Sequence, residues 1–117
     1  FVADPHVCKG RLLTDIVSAA AKGGVTMVQL RNKKDPLNIV KDQASALHAI
    51  LKPLRIPLII NDYIEIGACF DGAHIGQEDS EPELARDVLG PDKILGVTAF
   101  EENHFKNINS SVIDYAG

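Results

Sequence analysis

The sequence predicts an α/β fold built on a parallel sheet, and three observations carry that reading. Short apolar runs of strand length alternate along the chain with segments whose apolar residues recur at helical spacing. Runs such as "PLII" at 57–60 are apolar on successive residues, which marks strands covered on both faces. Polar side chains follow directly on the carboxyl ends of those runs: Arg31 and Lys33, Asn61 and Asp62, Asp79, and Thr98. Alternating βα units of this kind leave two architectures, an open doubly wound sheet or a (βα)8 barrel. No G-x-G-x-x-G follows the first strand, which weakens the dinucleotide-binding form of the first. In a barrel all the polar strand ends would face one rim.

Taken in order, Phe1 to Ala3 form the stub of strand one, which looks clipped in a chain with no initiator Met. In "RLLTDIVSAAAKGG", Leu12, Leu13, Ile16, Val17, Ala20 and Ala21 make a helical stripe. Gly23 and Gly24 end it, because glycine takes a left-handed C-terminal cap without strain. "TMVQL" is strand two. Asp35-Pro36 opens a second helix, with Asp35 as cap, Val40, Ala44, Leu47 and Leu51 on the buried side, and Pro53 as the stop. "PLII" is strand three, a short helix runs from about Ile64 to Cys69, and "GAHIG" is strand four. Ser80 and Glu83 have the spacing of a capping box for a helix reaching about Leu89. "KILGV" is strand five, a polar helix covers 101–109, and Ile113 to Ala116 begin strand six. No linker, repeat or low-complexity stretch interrupts the series, so 1–117 reads as one partial domain.

Composition sets the outer limits. A chain of 117 residues with 45 % apolar and 24 % charged residues is an ordinary globular mixture. A net charge of -4 gives no global attraction for nucleic acid or an anionic membrane surface. No apolar run reaches the roughly 18 residues of a membrane span. Cys8 and Cys69 lie in no metal-ligand spacing and read as two reduced thiols of a cytoplasmic protein.

The strand ends suggest a chemistry. Neighbouring parallel strands lie about 4.8 Å apart, so Asp62 and Asp79 on adjacent strands could approach one ion. Two carboxylates, an amide and no soft ligand favour a hard cation with oxygen donors, Mg²⁺ being the usual one. Gln29, Arg31 and Lys33 alternate along an extended segment, so they can point together. A guanidinium and an ammonium so placed suit phosphate or pyrophosphate. The set points to departure or transfer of pyrophosphate. Each residue also has a plainer reading. "ND" after a strand is often a turn or cap, "RNKK" a solvated loop, and Asp79 a helix cap. His74 within an apolar strand reads as a satisfied core histidine, and His6, His48 and His104 form no arrangement.

Four blocks in order, "GGVTMVQLRNK", "PLIINDY", "DGAHIGQED" and "LGVTA", closely resemble the thiamine phosphate synthase family. "FVADPHVCKGRLL" resembles its opening and "IDYAG" the start of its sixth strand, so the likeness covers the whole chain. The resemblance implies a (βα)8 TIM barrel, of which this chain holds about strands 1 to 6, the N-terminal two-thirds. It implies an enzyme joining a hydroxymethylpyrimidine pyrophosphate to a thiazole phosphate, with thiamine phosphate and pyrophosphate as products. In the family, pyrophosphate leaves first, and the thiazole nitrogen captures the resulting pyrimidine cation. Carried over block by block, Gln29, Arg31 and Lys33 would hold the pyrimidine pyrophosphate with help from Asn61. Asp62 and Asp79 would bind Mg²⁺, and Thr98, where the family usually has serine, would set a hydroxyl near the pyrimidine. The partners implied are these small molecules, with no nucleic acid or membrane, and a homo-oligomer is compatible with the exposed edges of an unclosed sheet.

The chain departs from the family in three ways. The segment between Asn61 and His74 is shorter than usual, Asn32 replaces a common acidic residue, and the thiazole phosphate site lies beyond Gly117. Two alternatives remain at this stage. One is a non-catalytic truncated relative that binds a phosphate ligand. The other is a thiazole tautomerase, a similar barrel that uses a histidine two residues after the position of Thr98. Phe100 stands there in this chain and cannot move protons.

Overall fold

The computed structural model describes all residues from 1 to 117. Six strands appear in the order β1 (Val2–Ala3), β2 (Val28–Leu30), β3 (Leu58–Asn61), β4 (Gly72–Ile75), β5 (Ile94–Val97) and β6 (Tyr115–Ala116). Between them lie α1 (Leu13–Lys22), α2 (Leu37–Leu51), α3 (Ile64–Gly67), α4 (Pro82–Leu89) and α5 (Glu102–Lys106). The strands form one sheet in unbroken chain order, β1 to β6. A doubly wound sheet reverses its order at a switch point. A barrel winds in one direction, so this α/β chain carries the first six staves of a (βα)8 barrel. The β1–β2, β4–β5 and β5–β6 pairs are parallel. The chain divides into two compact units, Phe1–Ile59 and Ile60–Gly117.

In the first unit α1 packs on α2. Val40, Ala44, Leu47 and Leu51 are all buried, as their spacing predicts. The α1 stripe is less fully used: Val17 is its one fully buried residue, and Leu12 is exposed. The left-handed turn after α1 falls at Gly24, with φ of 94°, one residue past the cap. Asp35 does not cap α2. Pro36 occupies the cap position without a side-chain bond, because the Asp35 carboxylate accepts from Asn32 instead.

The second unit encloses Ile64, Ala73, Ile75, Ala85, Leu89, Leu95, Val97 and Ile113. At Gly67 a Cβ would lie 2.6 Å from the Gly72 carbonyl oxygen, so the short α3 can lie directly on β4. The capping box expected from Ser80 and Glu83 does not form. Pro82 takes the first turn of α4, and Glu81 before it is extended and caps without a side-chain bond. A residue before proline avoids the helical region, which moves the helix start past Ser80.

Arg86 ties α4 to the approach of β6. Its Nε donates to the Val112 carbonyl at 2.9 Å and its Nη2 meets Asp114 Oδ2 at 2.7 Å. Burial alone would raise the Asp114 carboxyl. The Leu95 N–H and the Arg86 guanidinium outweigh it and hold the group below the usual carboxylate range. Both cysteines are free thiols. No helix is long and apolar enough to cross a membrane.

Candidate active site

In the first unit the chain beyond β2 keeps the alternation of a strand. Val28, Leu30 and Asn32 are buried, while Gln29 and Arg31 are half-buried and Lys33 is exposed. The three residues expected to hold a pyrophosphate therefore share the more open side of one segment. Arg31 Nη1 lies 3.4 Å from Asp4 Oδ2, and its side chain is 43 % exposed.

What holds this segment is Asn32, only 2 % exposed. Its Nδ2 donates to Asp35 Oδ2 and to Gln43 Oε1, each at 2.8 Å. Its Oδ1 accepts the Lys34 and Asp35 backbone N–H groups at 3.2 and 3.1 Å and lies 3.2 Å from His6 Nε2. Every polar atom of this amide is engaged, and the loop bearing Arg31 and Lys33 is pinned to α2 and to the turn after β1. Sequence reading passed over both His6 and Gln43. Their partner lies 26 and 11 residues away in the chain, and no local pattern announces such a contact.

In the second unit β3 ends on Asn61, which is 7 % exposed. Its Nδ2 is buried with no hydrogen-bond partner. Asp62, the next residue, sits at φ 67° in the left-handed region, and its N–H donates to the His74 carbonyl at 2.9 Å. Asp tolerates that region better than most residues, at a cost of about 1 kcal/mol. Asp79 is exposed at the close of a tight turn, where its Oδ2 accepts the Gly76 N–H at 2.6 Å.

His74 lies at the centre of this group. It is 7 % exposed, with Nε2 3.0 Å from Thr98 Oγ1 and Nδ1 2.9 Å from Tyr115 Oη. Burial pulls the imidazole below its usual pKa, and the Asp62 and Asp79 carboxylates pull the other way without reversing the shift. Both carboxylates are thus within electrostatic reach of one ring. His74 is a satisfied core histidine, as its setting in an apolar strand implied, with both ring nitrogens engaged.

Thr98 itself continues β5: its N–H donates to the Ile75 carbonyl at 2.9 Å, and its carbonyl accepts from Gln77 Nε2. A cavity of about 290 Å³ opens nearby, lined by Ile75, Gly76, Gln77, Asp79, Val97 and His104 among others. No group of three or more His, Cys, Asp or Glu side chains is placed to hold a metal. Phe100 is 70 % exposed. His104 approaches it from α5, the two rings meeting edge to face at 4.6 Å, a pairing that the sequence alone did not signal.

Comparison with known proteins decides the relationship. A family model described as thiamine monophosphate synthase matches residues 1–117. The chain belongs to that family. Among its curated relatives, the thiamine-phosphate synthase of Xanthobacter autotrophicus is 44 % identical over 118 residues, covering 99 % of this chain and 56 % of that protein. The thiamine-phosphate synthase of Chlamydia caviae is 42 % identical over 107 residues, covering 88 % of this chain and 50 % of its own length. The chain therefore spans about half the length of the thiamine monophosphate synthase relatives it matches. A solved structure, the thiamine phosphate pyrophosphorylase from Pyrococcus furiosus, superposes with a TM-score of 0.86 at 21 % identity. That match covers 99 % of this chain and 57 % of the other, and at such identity it speaks for the fold.

Proposed function

We propose that this chain supplies the metal-binding and pyrimidine-binding part of a thiamine phosphate synthase. The reaction joins 4-amino-5-hydroxymethyl-2-methylpyrimidine pyrophosphate to a thiazole phosphate and releases pyrophosphate. Family membership and the names of the relatives support the reaction class. The observation that carries the site is the buried, unpaired Nδ2 of Asn61 beside the left-handed Asp62. A buried amide donor without a partner costs about 1–3 kcal/mol, a penalty that an anionic ligand at the strand end would remove.

In this reading Asn61 donates to a pyrophosphate oxygen, and Gln29, Arg31 and Lys33 offer amide, guanidinium and ammonium donors suited to pyrophosphate. Thr98 presents its hydroxyl to the pyrimidine. Asp62 and Asp79 would hold Mg²⁺. The donor set fits: Mg²⁺ is commonly bound by one or two carboxylates together with water and substrate phosphate, rather than by a full protein cage. When bound, the ion neutralises charge on the departing pyrophosphate. The partners are small molecules, and the place of action is the cytoplasm.

The test is Asp62→Ala in the full chain, assayed with both substrates over a range of Mg²⁺ concentrations. Synthesis is expected to fall at least about 100-fold. Undiminished turnover would rule out the role assigned to Asp62.

A further inference from the structure

The Thr98 hydroxyl has a direction as well as a place. Its Oγ1 lies 3.0 Å from His74 Nε2, and the other ring nitrogen lies 2.9 Å from Tyr115 Oη. A neutral imidazole carries hydrogen on one nitrogen and accepts on the other. If the tyrosine hydroxyl donates to Nδ1, then Nε2–H donates to Thr98, whose own hydrogen is free to be given away. If Nδ1–H donates to the tyrosine, Nε2 accepts from Thr98, and the threonine can only receive. The ring thus transmits a choice made at Tyr115 to the hydroxyl at the end of β5.

The fold makes room for this contact. A Cβ on Gly96 would lie 2.1 Å from Cζ of Tyr115 and 2.5 Å from its hydroxyl oxygen, so the tyrosine ring occupies space that only glycine leaves open. The His74 and Tyr115 rings are 5.4 Å apart and tilted by 38°. Three strand ends meet here, from β4, β5 and β6, and the residues concerned are 24 and 41 positions apart. We propose that His74 is a positioning residue that sets the donor or acceptor sense of the Thr98 hydroxyl, with Tyr115 selecting the tautomer. The substrate class concerned is the pyrimidine of the proposed function, and on that reading the inference rests.

The test uses the full chain and two readouts. Long-range ¹⁵N–¹H NMR of the histidine rings should show one dominant neutral tautomer for His74, shifting towards a mixture in Tyr115→Phe. An unchanged tautomer in that variant overturns the proposal, whatever reaction the protein performs. In steady-state kinetics, His74→Gln and Thr98→Val should each lower kcat about tenfold with a smaller change in KM. The double variant should be no worse than Thr98→Val by more than about twofold, because His74 acts through that hydroxyl. Multiplying losses, or no loss in Thr98→Val, overturn the proposal. If His74→Gln does not fold, Tyr115→Phe in the Thr98→Val background carries the same comparison. Failure of the proposed function is told apart by Asp62→Ala, whose outcome does not depend on the ring.

Discussion

Two buried amides end two strands of this protein, and they are used in opposite ways. Asn32, just beyond β2, has both donors and its oxygen engaged by Asp35, Gln43, His6 and the backbone of its own loop. Asn61, at the end of β3, is about as enclosed, yet its Nδ2 meets nothing. The first amide spends its whole hydrogen-bonding capacity on the fold. The second keeps a donor in reserve at a strand end, beside a carboxylate in a costly backbone conformation. Burial of a polar group therefore does not by itself mark a binding site. On the function proposed above, the unpaired donor of Asn61 is what distinguishes the two amides.

Substitutions at the two positions should separate along this line. The largest loss of stability is expected for Asn32→Ala, which strands the Asp35 carboxylate, the Gln43 amide and two backbone N–H groups. We expect about 2–3 kcal/mol of destabilisation by urea titration. If Asn32→Ala cost only a few tenths of a kcal/mol, the contrast between the two amides would collapse.

A smaller effect is expected from His74. Its pKa is lowered from 6.5 in the folded chain by burial. Below pH 6.5 the unfolded chain binds a proton that the folded chain refuses, so stability is full above that pH and falls as pH drops below it. The fall ends at the lowered folded pKa. Melting temperature followed from pH 7.5 downward should decline in this window, and His74→Gln should flatten that part of the curve. The Asp114 carboxyl, held below its usual range, loses its contribution only at still lower pH. The smallest effect belongs to Arg31→Gln. The pairing of Arg31 with Asp4 is long, at 3.4 Å, and the arginine side chain is 43 % exposed, so less than about 1 kcal/mol should be lost on urea titration. A larger loss would mean that the Arg31–Asp4 pair fixes the loop as firmly as Asn32 does.

The sequence made most of the frame legible because frame signals are local. Val40, Ala44, Leu47 and Leu51 repeat at helical spacing and are buried together, and the run "PLII" at 57–60 falls on β3, whose residues Leu58–Asn61 are all buried. Caps were less legible. Asp35 and Ser80 have the right residue type in the right place, but Asn32 claims the first, and Pro82 shifts the helix start away from the second. The polar networks were hidden, since His6 with Asn32, and His74 with Thr98 and Tyr115, bring together residues more than twenty positions apart. The candidate site residues could be named from blocks of sequence. What closes Asn32 and opens Asn61 could not, because it depends on which distant atoms arrive beside each amide.

The most direct measurement is Asn61→Leu in the full chain, compared with the parent protein for melting temperature and for pyrophosphate binding by calorimetry. Leucine has a similar size and removes the unpaired donor. We expect a melting temperature that is unchanged or raised, together with pyrophosphate affinity weakened about tenfold or more. A clear drop in melting temperature with affinity intact would show that this amide, like Asn32, serves only the fold.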